Sequence, residues 1–253
     1  ILNHKGHKVR EEIQKQLFLM SPSNFKNRHS AVLRFEFLRA VLTLENTGET
    51  ETEFVMRFQQ LSGPTQAKGA EDTAFYVYNR LSALNEVGGN PGHFGSDLEE
   101  FHDFMRDRAA NWPHAMSAGS THDAQRSEDV RARIAALTGV ADRWEEFVHA
   151  ASVHNEQYRS ENTPERNLEY LIYQSLVGAW PISVERIQTF TEKAMREAKT
   201  YTTWTAQDAD YEARVKAFVD GVMADEEFRS MLTSFVDEIA VPGWKNAFAG
   251  TLV

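Results

Sequence analysis

From Thr163 to the end of the chain, apolar residues recur at the three- and four-residue spacing of a helix that buries one face. Leu168, Leu171, Ile172, Ser175, Leu176 and Ala179 form one such face. Thr163 and Pro164 suit its start as N-cap and first-turn residues, and Trp180-Pro181 suits its end. Ser183 then caps a second helix carrying Ile187, Phe190 and Ala194. A third presents Tyr211, Val215, Phe218 and Val222. A fourth presents Phe228, Met231, Leu232, Phe235 and Ile239, and Pro242-Gly243 stops it. Four apolar faces joined by short connections can be buried together only as a helical array.

Upstream, helical patterns cover Glu11 to Met20 and Ser30 to Leu44, followed by a polar, Gly-containing break from Glu45 to Glu53. Phe54 to Gln60 is short and β-prone, and the small-residue run Met116 to Ser120 reads as a buried strand. Asn85 to Gly92 is a loop by its turn chemistry. The expected fold is therefore mainly α, a helical array with one or two short strands. Three regions are expected: an N-terminal helical segment, 1–53; a mixed region with the densest polar motifs, 54–162; and the helical array, 163–253.

Composition narrows the functions. The 253 residues carry a formal net charge of −10, which opposes a nucleic-acid partner because phosphate binding needs a positive surface. There is no cysteine, so neither disulfides nor thiolate chemistry enters, as fits a cytoplasmic enzyme. No run approaches the roughly 20 apolar residues that cross a bilayer, so no membrane is expected. Ile1 to Arg10 is polar and basic, unlike a signal peptide. The chain opens on Ile1 and closes inside the apolar segment Trp244 to Val253, and both ends read as cuts through a longer protein.

Two constellations carry chemistry. In Gly119 to Asp129, a strand-like run leads to His122-Asp123, then to a helix opened by Ser127 with Glu128 and Asp129 in its first turn. His and Asp at the C-terminal end of a strand is how barrel enzymes present polar groups to a ligand. The plainer reading makes Asp123 a helix cap and His122 an exposed loop residue. The second runs from Gln59 to Tyr78 and includes Lys68, Glu71, Asp72, Phe75 and Tyr76. Rings beside fixed polar groups suit a sugar; the alternative is a helix with a buried Phe75/Tyr78 stripe and a solvated Lys68/Glu71/Asp72 edge. His114, His122 and Asp123, or His149 and His154, lack the spacing of a metal site, and no nucleotide-binding loop or nucleophile elbow occurs, so no metal or cofactor is expected.

The residues from Arg57 to Pro64, Ala67-Lys68-Gly69 and Glu71 to Tyr76 resemble a signature of malto-oligosyltrehalose synthases, members of the α-amylase superfamily. Leu84 to Gly89 with Pro91, Phe94-Gly95 and Phe101-His102 extend the resemblance. So do Ser120 to Asp123 with Arg126 to Arg133, Glu169-Tyr170-Leu171, Gly178 to Pro181, Arg196 to Lys199 and Thr203-Trp204. The resemblance runs from about Phe35 to Ala249 and implies a C-terminal-half portion holding the helical insertion and part of a (β/α)8 barrel. It implies an intramolecular transglucosylase that turns the reducing-end α-1,4 linkage of a malto-oligosaccharide into an α,α-1,1 linkage by retaining chemistry. Asp123 is then the carboxylate that stabilises the transition state. His122 binds the same sugar, Arg126 supports them, and Lys68, Glu71, Asp72, Phe75 and Tyr76 lie near the reducing-end glucose. The nucleophile and general acid lie outside the chain in this family, so the chain is expected to be inactive alone. Its partners are then a malto-oligosaccharide and the missing remainder of the parent enzyme. A non-catalytic helical module, structural or carbohydrate-binding, and one part of a split enzyme are the alternatives. Thr65-Gln66 and Ala124-Gln125 depart from the family's apolar pair and Thr-Lys.

Overall fold

A computed structural model describes residues 28–116 and 118–252. The chain divides into two compact units, Ile1–Gln66 and Ala67–Val253. The helix expected at Glu11 to Met20 lies outside the described residues.

The described part of the first unit is a helical pair, α1 (Arg28–Leu42) and α2 (Glu49–Gln66). Val41 and Val55 are buried. Arg39 fastens the turn between the helices by donating to the Glu45 carboxylate at 2.8 and 3.0 Å. Phe54 to Gln60, expected to favour a strand, lies inside α2. Glu49 and Glu51 sit in its first turn, where the helix dipole favours them. Phe54 and Phe58, four residues apart, stack at 6.1 Å on one helical face.

The second unit begins with a π-helical stretch, Ala67–Ala74, and one α turn, α3 (Phe75–Val77). Then come α4 (Leu98–Asn111), α5 (Glu128–Ala136), α6 (Ala141–His154), α7 (Arg166–Ala179), α8 (Val184–Ala198), α9 (Ala209–Ala224) and α10 (Glu226–Thr251). The helical array is as the periodicity predicts. Among the described residues the β pairing is an isolated bridge, Ser160 with Thr163. Met116 to Ser120 forms no strand in its described residues.

Helix α7 is the axle of this unit. Every residue from Leu168 to Gly178 except Tyr170 is buried, the signature of a helix surrounded on all sides. Around it pack Ile134 of α5, Ile187 of α8, Val215 and Phe218 of α9, and Phe228 and Leu232 of α10. Each such side chain contributes about 1.5–3 kcal/mol on burial. The one carboxylate on the axle, Glu169, is compensated: it accepts from Arg166 at 2.7 Å and from the Tyr173 hydroxyl at 2.7 Å.

Helix starts follow local chemistry. The side chains of Ser183, Asp208 and Asp225 accept from the backbone N–H of Arg186, Tyr211 and Phe228 at 3.4, 2.9 and 2.7 Å. Two boundaries differ from the sequence expectation. Thr163 does not cap α7, because its backbone is committed to Ser160 in both directions; the helix starts at Arg166 with Glu165 as N-cap. Pro242-Gly243 does not end α10, which runs on to Thr251. The lost backbone donor at Pro242 is offset by packing. Gly243 lies so near α5 that an added Cβ would stand 3.3 Å from Arg133 Cα, and Asn246 donates to the Ala132 carbonyl at 3.1 Å. Gly178 of α7 also meets α5, where a Cβ would stand 2.8 Å from Ile134. Among the described residues no helix is long and apolar enough to cross a membrane.

Candidate functional site

The site grows from a pinned loop. Residues between Tyr76 and Glu86 have little regular structure, so their backbone polar groups need side-chain partners. Gln174 on α7 supplies two: its carbonyl accepts from Ser82 N at 2.8 Å, and its amide donates to the Asn79 carbonyl at 2.8 Å. Asn85, also buried, donates to the carbonyls of Phe75 and Tyr78, both at 2.8 Å.

This loop ends at Glu86, whose carboxylate seizes the His-Asp motif. Its oxygens accept from the backbone N–H of Gln125 at 2.7 Å and of Arg126 at 3.2 Å, with Arg131 Nε 3.8 Å away. Those bonds hold the turn Thr121 to Arg126, and α5 begins just beyond it. His122 and Asp123 stand on this turn, not at a strand end as the sequence suggested, and their side chains are 89% and 70% exposed, 3.2 Å apart.

The expected site residues fall into two layers. Phe75, Tyr76 and Arg126 are buried. Arg126 Nη1 donates to the Ser82 carbonyl at 3.2 Å and its guanidinium lies 5.6 Å from the Phe190 ring. Burial pushes its pKa down, against smaller opposing effects of Tyr76 and Glu86. The Tyr76 hydroxyl donates to the Gln125 side-chain carbonyl, and burial raises its pKa, with Lys193 working against the rise. Above them lie the more exposed polar groups. Lys68 pairs with Asp72, and Glu71 accepts from Gly88 N at 3.0 Å while its backbone carbonyl accepts from Gln125 Nε2 at 3.2 Å. The Lys68 ammonium is held above its ordinary pKa by Asp72 first, with Glu197 and Asp123 adding to the effect. The bonds of Gln125 to the Glu71 carbonyl and the Tyr76 hydroxyl tie the His122-Asp123 turn to the Lys68–Tyr76 segment. Among the described residues no cluster of three metal-capable side chains occurs.

Two maltooligosyl trehalose synthases of Mycobacterium tuberculosis strains share 37% identity with this chain over 209 residues, 79% of the chain and 26% of each relative. The solved maltooligosyltrehalose synthase of Arthrobacter ramosus superimposes with a TM-score of 0.76 at 36% identity, over 94% of this chain and 30% of that one. The chain matches a portion of a maltooligosyltrehalose synthase. A hypothetical maltooligosyl trehalose synthase of Sulfolobus tokodaii also matches, with a TM-score of 0.69 at 30% identity over 81% of this chain and 30% of its own length. The chain thus spans about a quarter of the length of the curated relatives it matches. No family model matches it.

Sequence reasoning missed several groups that build the surface of this chain. Glu86 was visible only as part of a turn-rich motif, and nothing in its neighbours betrays the loop it grips 39 residues later. From α8 come Lys193, 5.9 Å from the Tyr76 ring, and Glu197, which accepts from Trp204 Nε1 at 2.9 Å; just beyond α8, Lys199 donates to Thr73 Oγ1 at 2.7 Å. The α8 periodicity marks its buried face and says nothing of where its polar face points.

Proposed function

We propose that this chain supplies the sugar-steadying part of a maltooligosyltrehalose synthase, the intramolecular transglucosylase that moves the reducing-end linkage of a malto-oligosaccharide from α-1,4 to α,α-1,1. The observation that carries this reading is the exposed His122-Asp123 pair, presented on a turn that Glu86 clamps and that Gln125 ties to the Lys68–Tyr76 segment. Asp123 stabilises the positive charge that develops at the anomeric carbon and binds hydroxyls of the same ring. His122 donates to that ring. Lys68, Asp72 and Glu71 meet the hydroxyls of the reducing-end glucose. Buried Phe75, Tyr76 and Arg126 act from below by keeping the surface in place.

Retaining chemistry needs a nucleophile and a general acid about 5–5.5 Å apart, and these come from the remainder of the parent enzyme. Asp72 is paired with Lys68, and Glu197 accepts from the Trp204 indole. Isomerisation also demands that water be kept from the glycosyl-enzyme while the freed glucose turns. A carboxylate 70% open to solvent gives no such shelter by itself. The same exposure favours a second reading, a carbohydrate-binding module that needs no closed pocket.

The test is a pair of measurements on the intact chain. Maltopentaose should give saturable heat in calorimetric titration, and prolonged incubation should give no non-reducing trehalosyl product by chromatography. Isomerisation by the chain alone would place the missing carboxyls within it and sink the division of labour proposed here. No saturable heat would remove both sugar readings.

A further inference from the structure

The loop between α8 and α9 carries an indole that is fixed on two sides and open on a third. Trp204 donates its Nε1–H to Glu197 at 2.9 Å, which sets the orientation of the ring. The Arg196 guanidinium covers one face, 4.9 Å from the ring. Arg196 is itself immobilised by Glu212, to which it donates at 3.0 and 2.7 Å, and by Glu192 at 2.5 Å. Thr202, buried beneath the loop, donates to Glu212 at 2.5 Å and accepts from Asp208 N at 3.1 Å. The ring nonetheless remains 49% exposed.

Its position adds meaning. Glu197, which orients the indole, also lies close enough to Lys68 to reinforce its charge, as Asp123 does. Lys199, two residues further on, donates to Thr73 Oγ1 at 2.7 Å and so fastens this loop to the Lys68–Tyr76 segment. An oriented aromatic face next to hydroxyl-binding charges is the arrangement that receives a pyranose: the C–H face of the ring lies on the π-system while carboxylate and ammonium groups take its edge.

We propose that Trp204 is a stacking platform for a glucosyl ring of an α-1,4-glucan, extending the sugar surface of Lys68, Asp72, His122 and Asp123. This rests on the sugar-binding reading above. It goes further by assigning a ring-binding role to a residue of the α8–α9 loop and by making Arg196 and Glu197 its positioning residues.

The experiment is calorimetric titration of the intact chain with maltopentaose, together with the indole N–H resonances in a proton–nitrogen NMR spectrum. Trp204→Ala should weaken binding about tenfold, whereas Trp204→Phe, which keeps a face to stack on, should stay within about threefold. The Trp204 indole resonance, assigned by its loss in either variant, should shift on addition of maltopentaose and not of an equal concentration of mannitol. Melting temperatures of both variants should stay within a few degrees of the parent. Unchanged affinity in Trp204→Ala, or an indole resonance indifferent to the sugar, overturns the platform while leaving the Asp123 reading intact. Binding that depends on Trp204 but survives the double change His122→Ala/Asp123→Ala supports the platform and removes the sugar role from the His-Asp turn. A parent chain without any response to maltopentaose overturns both.

Discussion

Helix α7 and the loop from Tyr76 to Glu86 are neighbours in one unit, yet they are held by different forces. Along α7 the grip is apolar: Leu171, Ile172, Leu176 and Val177 are fully buried against side chains from four other helices. Along the loop it is directional: Gln174, Asn85 and Glu86 supply hydrogen bonds that the irregular backbone cannot make with itself. The first kind of region is intolerant of lost volume. The second tolerates changes of volume but not of donors and acceptors. The candidate site hangs from the second kind, so its geometry depends on a handful of bonds whose loss need not unfold the protein.

That contrast can be broken most forcefully at the axle. Ile172→Ala should cost about 2–5 kcal/mol, because the cavity lies where five helices meet and cannot collapse; urea denaturation followed by circular dichroism would register it. A loss under 1 kcal/mol would mean that α7 is less tightly enclosed than described. Glu86→Ala should cost less, about 1–3 kcal/mol for the backbone donors left without their acceptor. Its clearest mark should be faster hydrogen exchange at the Gln125 and Arg126 amides, with the α7 amides still protected. Uniform acceleration across both regions would erase the distinction between them.

A third change sharpens the comparison through pH. Asp225 caps α10 and accepts from Phe228 N, from the Tyr158 hydroxyl at 2.6 Å and from His154 Nε2 at 3.0 Å. These bonds, the backbone one first, draw its pKa from 3.8 to about 2 against a smaller opposing effect of burial. A carboxyl whose pKa is depressed by folding stabilises the protein above its unfolded value and loses that contribution as pH falls through its folded one. The parent should therefore lose stability between about pH 4 and pH 2 more steeply than Asp225→Asn, read from urea midpoints across that range. Parallel curves would show that the cap acts only as a hydrogen-bond acceptor. The smallest effect belongs to His122→Ala. With 89% of its side chain in solvent, stability should change by less than about 0.5 kcal/mol in the same denaturation assay, while maltopentaose affinity falls. A large stability loss would mean that the turn is structural.

The two regions also explain what could be read from the amino acids alone. Helices α7 to α10 announce themselves because burial of one face imprints a period on consecutive residues, and Leu168, Ile172 and Leu176 record it directly. The expected strands failed for the same reason in reverse. Phe54 to Gln60 is too short for its β-propensity to outweigh an i,i+4 aromatic pair, and Met116 to Ser120 has no partner to ladder with among the described residues. The His122-Asp123 motif stood out as chemistry, but the hand that holds it did not. Gln174 reaches Asn79 across 95 positions and Glu86 reaches Gln125 across 39, and such bonds leave no period behind. Gln125 illustrates the limit well. Where the family carries a lysine this chain has an amide, which the sequence presents only as a lost charge. The structure shows that amide stitched to the Tyr76 hydroxyl and the Glu71 carbonyl, a clip in place of a cation.

Helix α5, packed against both Gly178 and Gly243, begins two residues after Arg126. An added Cβ would stand 2.8 Å from the Ile134 side chain at Gly178 and 3.3 Å from Arg133 Cα at Gly243, so a larger residue at either position needs α5 or its side chains to give way. Two positions with no chemistry of their own, one of them 120 residues along the chain from Asp123, thus limit how closely the helix that follows its turn can be packed.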